Sequence, residues 1–113
     1  MRKLILFYCL FLAIKTHAQT EGYACIYSKN LCGGKTASGK RLDCKALTAA
    51  HRTYTLGTQL KVTNQTNNKS VILTITDRGP FTKKYILDLT PAAAEAIGLT
   101  YRQGKVKVKI EKL

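Results

Sequence analysis

Gln59-Leu60-Lys61-Val62-Thr63-Asn64, then Thr66-Asn67-Asn68-Lys69, then Ser70-Val71-Ile72-Leu73-Thr74-Ile75-Thr76 is the stretch that sets the fold class. Leu60 and Val62 alternate with polar neighbours, and Val71, Leu73 and Ile75 recur at every second position. A period of two puts these side chains on one face, as a half-buried strand requires. The Asn-rich segment between the runs supplies turn chemistry, so the stretch predicts a β-hairpin. Asn64-Gln65-Thr66 and Asn68-Lys69-Ser70 also match a glycosylation acceptor pattern, but Asn at a hairpin tip is what the turn itself asks for.

Downstream, Asp77-Arg78-Gly79-Pro80-Phe81 must end the second strand, because Gly79 frees the backbone and Pro80 removes a donor. Tyr85 to Leu89 reads as another short strand. Thr90-Pro91 then offers an N-cap followed by Pro at the first helical position, Ala92 to Ile97 is rich in helix formers, and Gly98 can close the helix in a left-handed cap. In Lys105-Val106-Lys107-Val108-Lys109-Ile110 every Lys falls on one face of a strand and every apolar residue on the other, a solvated outer face rather than a binding stripe. Upstream, Gly22 to Tyr27 suits a strand. Ser28 to Lys45, rich in Gly and polar residues, suits a long loop of the kind that carries function. Strands joined by short turns point to a small barrel.

The chain has 113 residues, with 19 Lys and Arg against 6 Asp and Glu, a formal charge of +13. Met1-Arg2-Lys3, the apolar run Leu4 to Ile14 and the small residues Thr16 and Ala18 predict a signal peptide over residues 1–18, cut before Gln19. The run is too short to cross a bilayer of roughly 30 Å, so no transmembrane segment is expected. Cys9 follows Tyr8 within the run, so no lipid anchor is expected either. Losing Arg2, Lys3 and Lys15 lowers the basic count from 19 to 16 against the same 6 acids, leaving +10 on residues 19–113. Such an excess suits nucleic acid, an anionic surface or an acidic polymer, and export argues against nucleic acid. Cys25, Cys32 and Cys44 remain, an odd number for an oxidising compartment: one disulfide and one free thiol are expected, preferably with Cys44 in the bridge to pin the irregular segment. The spacings are not those of a zinc site, and no metal or cofactor is expected.

Three segments go beyond composition: Thr36-Ala37-Ser38-Gly39, Ala46-Leu47-Thr48-Ala49-Ala50-His51 and Thr76-Asp77-Arg78-Gly79-Pro80-Phe81. In that order they resemble the rare lipoprotein A (RlpA-like) family. The likeness continues through Leu56-Gly57-Thr58, Val62-Thr63-Asn64, Ile86-Leu87-Asp88-Leu89 and the Ala-rich helix, covering Gly22 to Ile110. It implies a mainly β fold, a six-stranded double-psi β-barrel with one short helix over residues 19–113. It also implies lytic transglycosylase activity on peptidoglycan glycan strands stripped of stem peptides, cutting between N-acetylmuramic acid and N-acetylglucosamine to leave a 1,6-anhydro end. The expected protein is a minimal, soluble, monomeric version of the barrel, exported to the periplasm or beyond. An expansin-like, non-catalytic binder of wall glycan is the alternative.

Glycosidic cleavage needs a carboxylic acid for the leaving oxygen and a means of trapping the cationic carbon. In a lytic transglycosylase the trap is the sugar's own 6-hydroxyl, so one carboxyl can give a proton and later take one back. The resemblance points to Asp77 for that role and to His51 for orienting Asp77 or the substrate. Lys40, Asp43, Arg78, Phe81 and Asp88 join them as substrate-binding candidates, Asp88 being equally suited to cap the helix that follows it. Phe81 and Tyr54 offer faces for stacking on sugar. At the position after Thr-Ala-Ser-Gly the family has a Glu treated as a catalytic carboxylate. Here it is Lys40, which cannot act as that acid, and Asp43 stands three residues on as the nearby substitute.

Overall fold

The computed structural model describes residues 19–113; the expected signal peptide lies outside the described residues. The hairpin forms where the alternation places it, with β3 (Gln59–Asn64) antiparallel to β4 (Ser70–Asp77). β1 (Gln19–Ile26), β2 (Thr48–Ala50), β5 (Tyr85–Leu89) and β6 (Lys105–Lys112) complete a closed barrel in the order β1-β5-β2-β4-β3-β6. Two of its six seams, β1 with β5 and β2 with β4, are parallel.

Alternation decides the core. Leu60, Val62, Leu73, Ile75, Val108 and Ile110 point inward and are essentially inaccessible, joined by Leu87 and Leu89 of β5. The helix α1 (Pro91–Ala96) closes one end with Ala93 and Ala94, followed by Ile97 and Leu99. Thr90 caps it as expected, its Oγ1 accepting from Ala93 N at 3.2 Å. Gly98 ends it at φ +76°, where an added Cβ would meet Asn67 Nδ2 at 2.8 Å. On the outer wall Lys107 and Lys109 lie 4.0 and 3.9 Å from Glu21 and Glu111, and Lys105 sits over the Tyr23 ring. The lysine stripe is thus a locally compensated, solvated face.

β2 was not legible as a strand. It has three residues, too few to show a period, and it forms because it fills the gap between β4 and β5. The segment expected as a long loop is itself folded: a 3₁₀ turn at Lys29–Leu31, a bridge between Lys35 and Arg41, and a Cys32–Cys44 disulfide. Leu42, 5 % exposed, plugs this loop against Tyr27 and Ala50 on the barrel wall. Among the described residues Cys25 is the free thiol.

Candidate active site

Asp77 is the last residue of β4, and the register jump between Ala49 and Ala50 places it opposite Ala50. Three donors hold its carboxylate. Oδ1 accepts from Ala37 N and Arg78 N, both at 2.9 Å, and Oδ2 accepts from the Tyr27 hydroxyl at 3.0 Å. The Thr36-Ala37-Ser38-Gly39 motif can reach it because Ser38 N also donates to Thr76 O at 3.1 Å, docking the loop on the strand end. Tyr27 is 6 % exposed. Burial first, then the charge of Asp77 and the bond to it, hold the phenol protonated well above its ordinary range, so it stays a donor. All three partners donate, so together they fix the orientation of the carboxylate.

His51 follows β2 directly, and its amide donates to Asp77 O at 3.1 Å. Its side chain does not bond to the Asp77 carboxylate. Nδ1 instead accepts from Thr53 N and Tyr54 N at 3.1 and 3.0 Å, which puts the proton of the neutral ring on Nε2. The ring stacks on Tyr54 with centroids 4.0 Å apart, so the stacking face expected of Tyr54 is covered by His51 on one side. Burial, and after it the charges of Arg52 and Arg78, keep His51 below the usual histidine range, which favours this neutral form.

The two arginines are loop clamps. Arg78 Nη1 donates to His51 O and Tyr54 O at 3.2 and 2.6 Å. Arg52 Nη1 reaches Pro80 O at 2.8 Å and Tyr85 O at 2.7 Å. Each strand-end segment is therefore tied to the other. Between them the Gly79-Pro80 turn presents Phe81 with 86 % of its surface free.

The family described as "Lytic transglycolase" matches residues 19–110. The chain belongs to that family. Among its relatives is the "Endolytic peptidoglycan transglycosylase RlpA" of Rickettsia felis, 50 % identical over 102 residues, covering 87 % of this chain and 44 % of that protein. The protein of the same name from Neisseria meningitidis serogroup A is 44 % identical over 92 residues, covering 81 % of this chain and 38 % of that one. This chain thus spans less than half the length of these relatives. The "Streptomyces papain inhibitor (SPI)" superposes with a TM-score of 0.68 at 18 % identity, over 85 % of this chain and 94 % of its own. The expansin of Clavibacter michiganensis follows at 0.65 and 22 %, over 85 % of this chain and 50 % of its own. At these identities the structural likeness speaks for the barrel alone.

In this member of the family, neither Lys40 nor Asp43 bonds to the Asp77 carboxylate. Both line a pocket of about 280 Å³ with Thr36, Ser38, Thr74 and Thr76. Asp43 Oδ1 accepts from Lys45 N at 2.9 Å, a bond that closes its own turn. Asp88 does not cap α1, since Thr90 does; its Oδ1 accepts from the Cys25 thiol at 2.7 Å. Sequence reasoning missed Tyr27, Cys25 and Arg52. Tyr27 carries no local signal, because its partner lies 50 residues away.

Proposed function

We propose that this chain is an endolytic peptidoglycan lytic transglycosylase of the periplasm or cell exterior. It cleaves N-acetylmuramic acid to N-acetylglucosamine bonds in strands without stem peptides, with Asp77 as general acid and base. The observation that carries the reading is the three-donor cradle of Asp77, assembled from two of the three sequence motifs and Tyr27 in a chain whose relatives are named endolytic peptidoglycan transglycosylases. A proton passes from the carboxyl to the glycosidic oxygen as the bond to C1 breaks. The 6-hydroxyl then closes on C1 and returns its proton to the carboxylate, so water is not consumed. Phe81 supplies a stacking face, Arg78 and Arg52 fix the walls, and His51 offers Nε2–H as a donor to a sugar oxygen.

The second reading is a non-catalytic binder of wall glycan. It is favoured by Lys40 and Arg41 in the pocket beside Thr76 and by the excess of basic residues. Release of 1,6-anhydro products from amidase-stripped strands separates the two. Enzyme function requires release by the wild type and its loss in Asp77→Asn; turnover gained only in Lys40→Glu supports the binder.

A further inference from the structure

The barrel sets one row of residues across five adjacent strands. Lys105 of β6 pairs with Cys25 of β1, Cys25 with Asp88 of β5, Asp88 with Ala50 of β2, and Ala50 with Asp77 of β4. Paired residues project from the same face of a sheet, so Cys25, Asp88, Ala50 and Asp77 share one side of the wall. Strands lie about 4.8 Å apart, which separates Asp88 from Asp77 by about 10 Å at the backbone. Between them stands Ala50, fully buried beneath Tyr27 and Leu42. The row therefore sets two carboxyl-bearing residues on one face of the wall, one on each side of that plug, as a pair of groups flanking a scissile bond must stand.

The two carboxyls are held in opposite ways. Asp77 accepts from three donors. Among the described residues Asp88 accepts only from the Cys25 thiol, which also lies 3.6 Å from Leu87 O. The Gly79 backbone stands beside it: a Cβ there would lie 3.6 Å from Asp88 Oδ2, an ordinary contact, and it is the φ of +127° that favours glycine at this turn. The charged and titratable groups around Asp88 are Cys25 on β1, Tyr27 just beyond β1, Asp77 on β4 and, one strand past Cys25, Lys105. β2 contributes only Ala50, and Arg52 holds this turn through Pro80 O.

We propose that Asp88 is the second catalytic carboxyl of this site, with Cys25 as the positioning residue that aims it. The proposal rests on the lytic reading and divides between two groups the work that reading gives to Asp77. Asp88 passes its proton to the glycosidic oxygen as the bond to C1 breaks. Asp77 accepts the proton of the 6-hydroxyl as that oxygen closes on C1, and the proton returns to Asp88 through solvent before the next turnover. Atoms balance with no further reactant. The environments agree with this division: burial foremost, with the charge of Asp77, holds Asp88 above the ordinary carboxylate range, against the opposing pull of the thiol bond. Burial, and next the bond to Asp88 and its charge, push the Cys25 thiol up to about 12, so it remains a donor rather than a nucleophile.

Cys25→Ser keeps a donor and Cys25→Ala removes it, and two readouts follow them. In the free protein, the Asp88 carboxyl carbon is titrated by NMR. Its midpoint moves up in Cys25→Ala, stays near wild type in Cys25→Ser and moves down in Asp77→Asn. In turnover of stripped glycan strands, kcat/KM falls as Asp88 ionises, so Cys25→Ala moves this alkaline limb to higher pH and lowers kcat about tenfold through misalignment. Cys25→Ser restores both, and Asp88→Asn abolishes release. An Asp88 midpoint indifferent to Cys25→Ala, a Ser variant that behaves like the Ala variant, or full activity in Asp88→Asn overturns the proposal. Wild-type protein that releases no anhydro product overturns the lytic reading, while the titration still decides whether the thiol holds Asp88.

Discussion

Tyr27→Phe removes one oxygen atom and leaves the ring in place against Leu42 and Ala50. What is lost is the 3.0 Å bond to Asp77 Oδ2, that oxygen's only partner among the described residues. A hydrogen bond to a charged group contributes about 1.5 to 3 kcal/mol, and half-buried Asp77 can recruit water in its place, so the lower figure applies. For a barrel of this size, about 1.5 kcal/mol lowers Tm by roughly 6 to 12 °C. Both remaining donors, Ala37 N and Arg78 N, bind Oδ1, so the carboxylate is free to swing about that oxygen. Misalignment of this kind lowers kcat about tenfold, equivalent to about 1.4 kcal/mol, with KM little changed. Thermal unfolding and the initial rate of 1,6-anhydro release measure the two effects. In an Asp77→Ala background the same substitution becomes nearly neutral, because the partner is gone. A Tm within about 2 °C of wild type, with kcat within about twofold, refutes the claim that this hydroxyl holds the Asp77 carboxylate.

Replacing Cys32 and Cys44 by Ser reopens a loop of sequence separation 12 and costs about 3 kcal/mol by chain entropy. The same drop in Tm is expected on adding reductant to the wild type, with activity falling alongside because Ala37 is detached from Asp77. His51 is favoured neutral in the fold, so its contribution to stability is full above the unfolded value of about 6.5 and is lost as pH falls from there through the lower folded value. Chemical unfolding between pH 8 and pH 5 detects this slope, and His51→Asn flattens it. Gly98→Ala meets both an unfavourable φ of +76° and Asn67 Nδ2 at 2.8 Å, whereas Gly104→Ala at +77° meets nothing within 4 Å. Gly98→Ala is therefore the more destabilising, by about 1 kcal/mol beyond the backbone cost the two share, read as the difference in Tm.

Local signals account for what the sequence revealed. The β3–β4 hairpin, β5, the Thr90 cap, the Gly98 stop and the alternating lysines of β6 each depend on residues within a few positions of one another. The barrel order does not, since it pairs β1 with β5 and β2 with β4 across long separations, and three-residue β2 exists only by virtue of its neighbours. The resemblance singled out Asp77 and His51, yet the partners that define them, Tyr27, Ala37 and the Thr53 and Tyr54 amides, emerge only in three dimensions. Asp88 shows the same limit. Its position before Thr90 made a helix cap reasonable, and only the strand register revealed that it faces Cys25.

A ladder that returns to its own first strand has no unpaired edge, so no passing chain can lengthen it by adding a strand. The segments around 28–47, 51–58 and 78–84, which hold the groups proposed to meet glycan, contribute little to the ladder itself. Stability and specificity are thereby written in different parts of the same short chain. Exchanging these segments among barrels of this family is a route to new glycan preferences that leaves the wall that carries them intact.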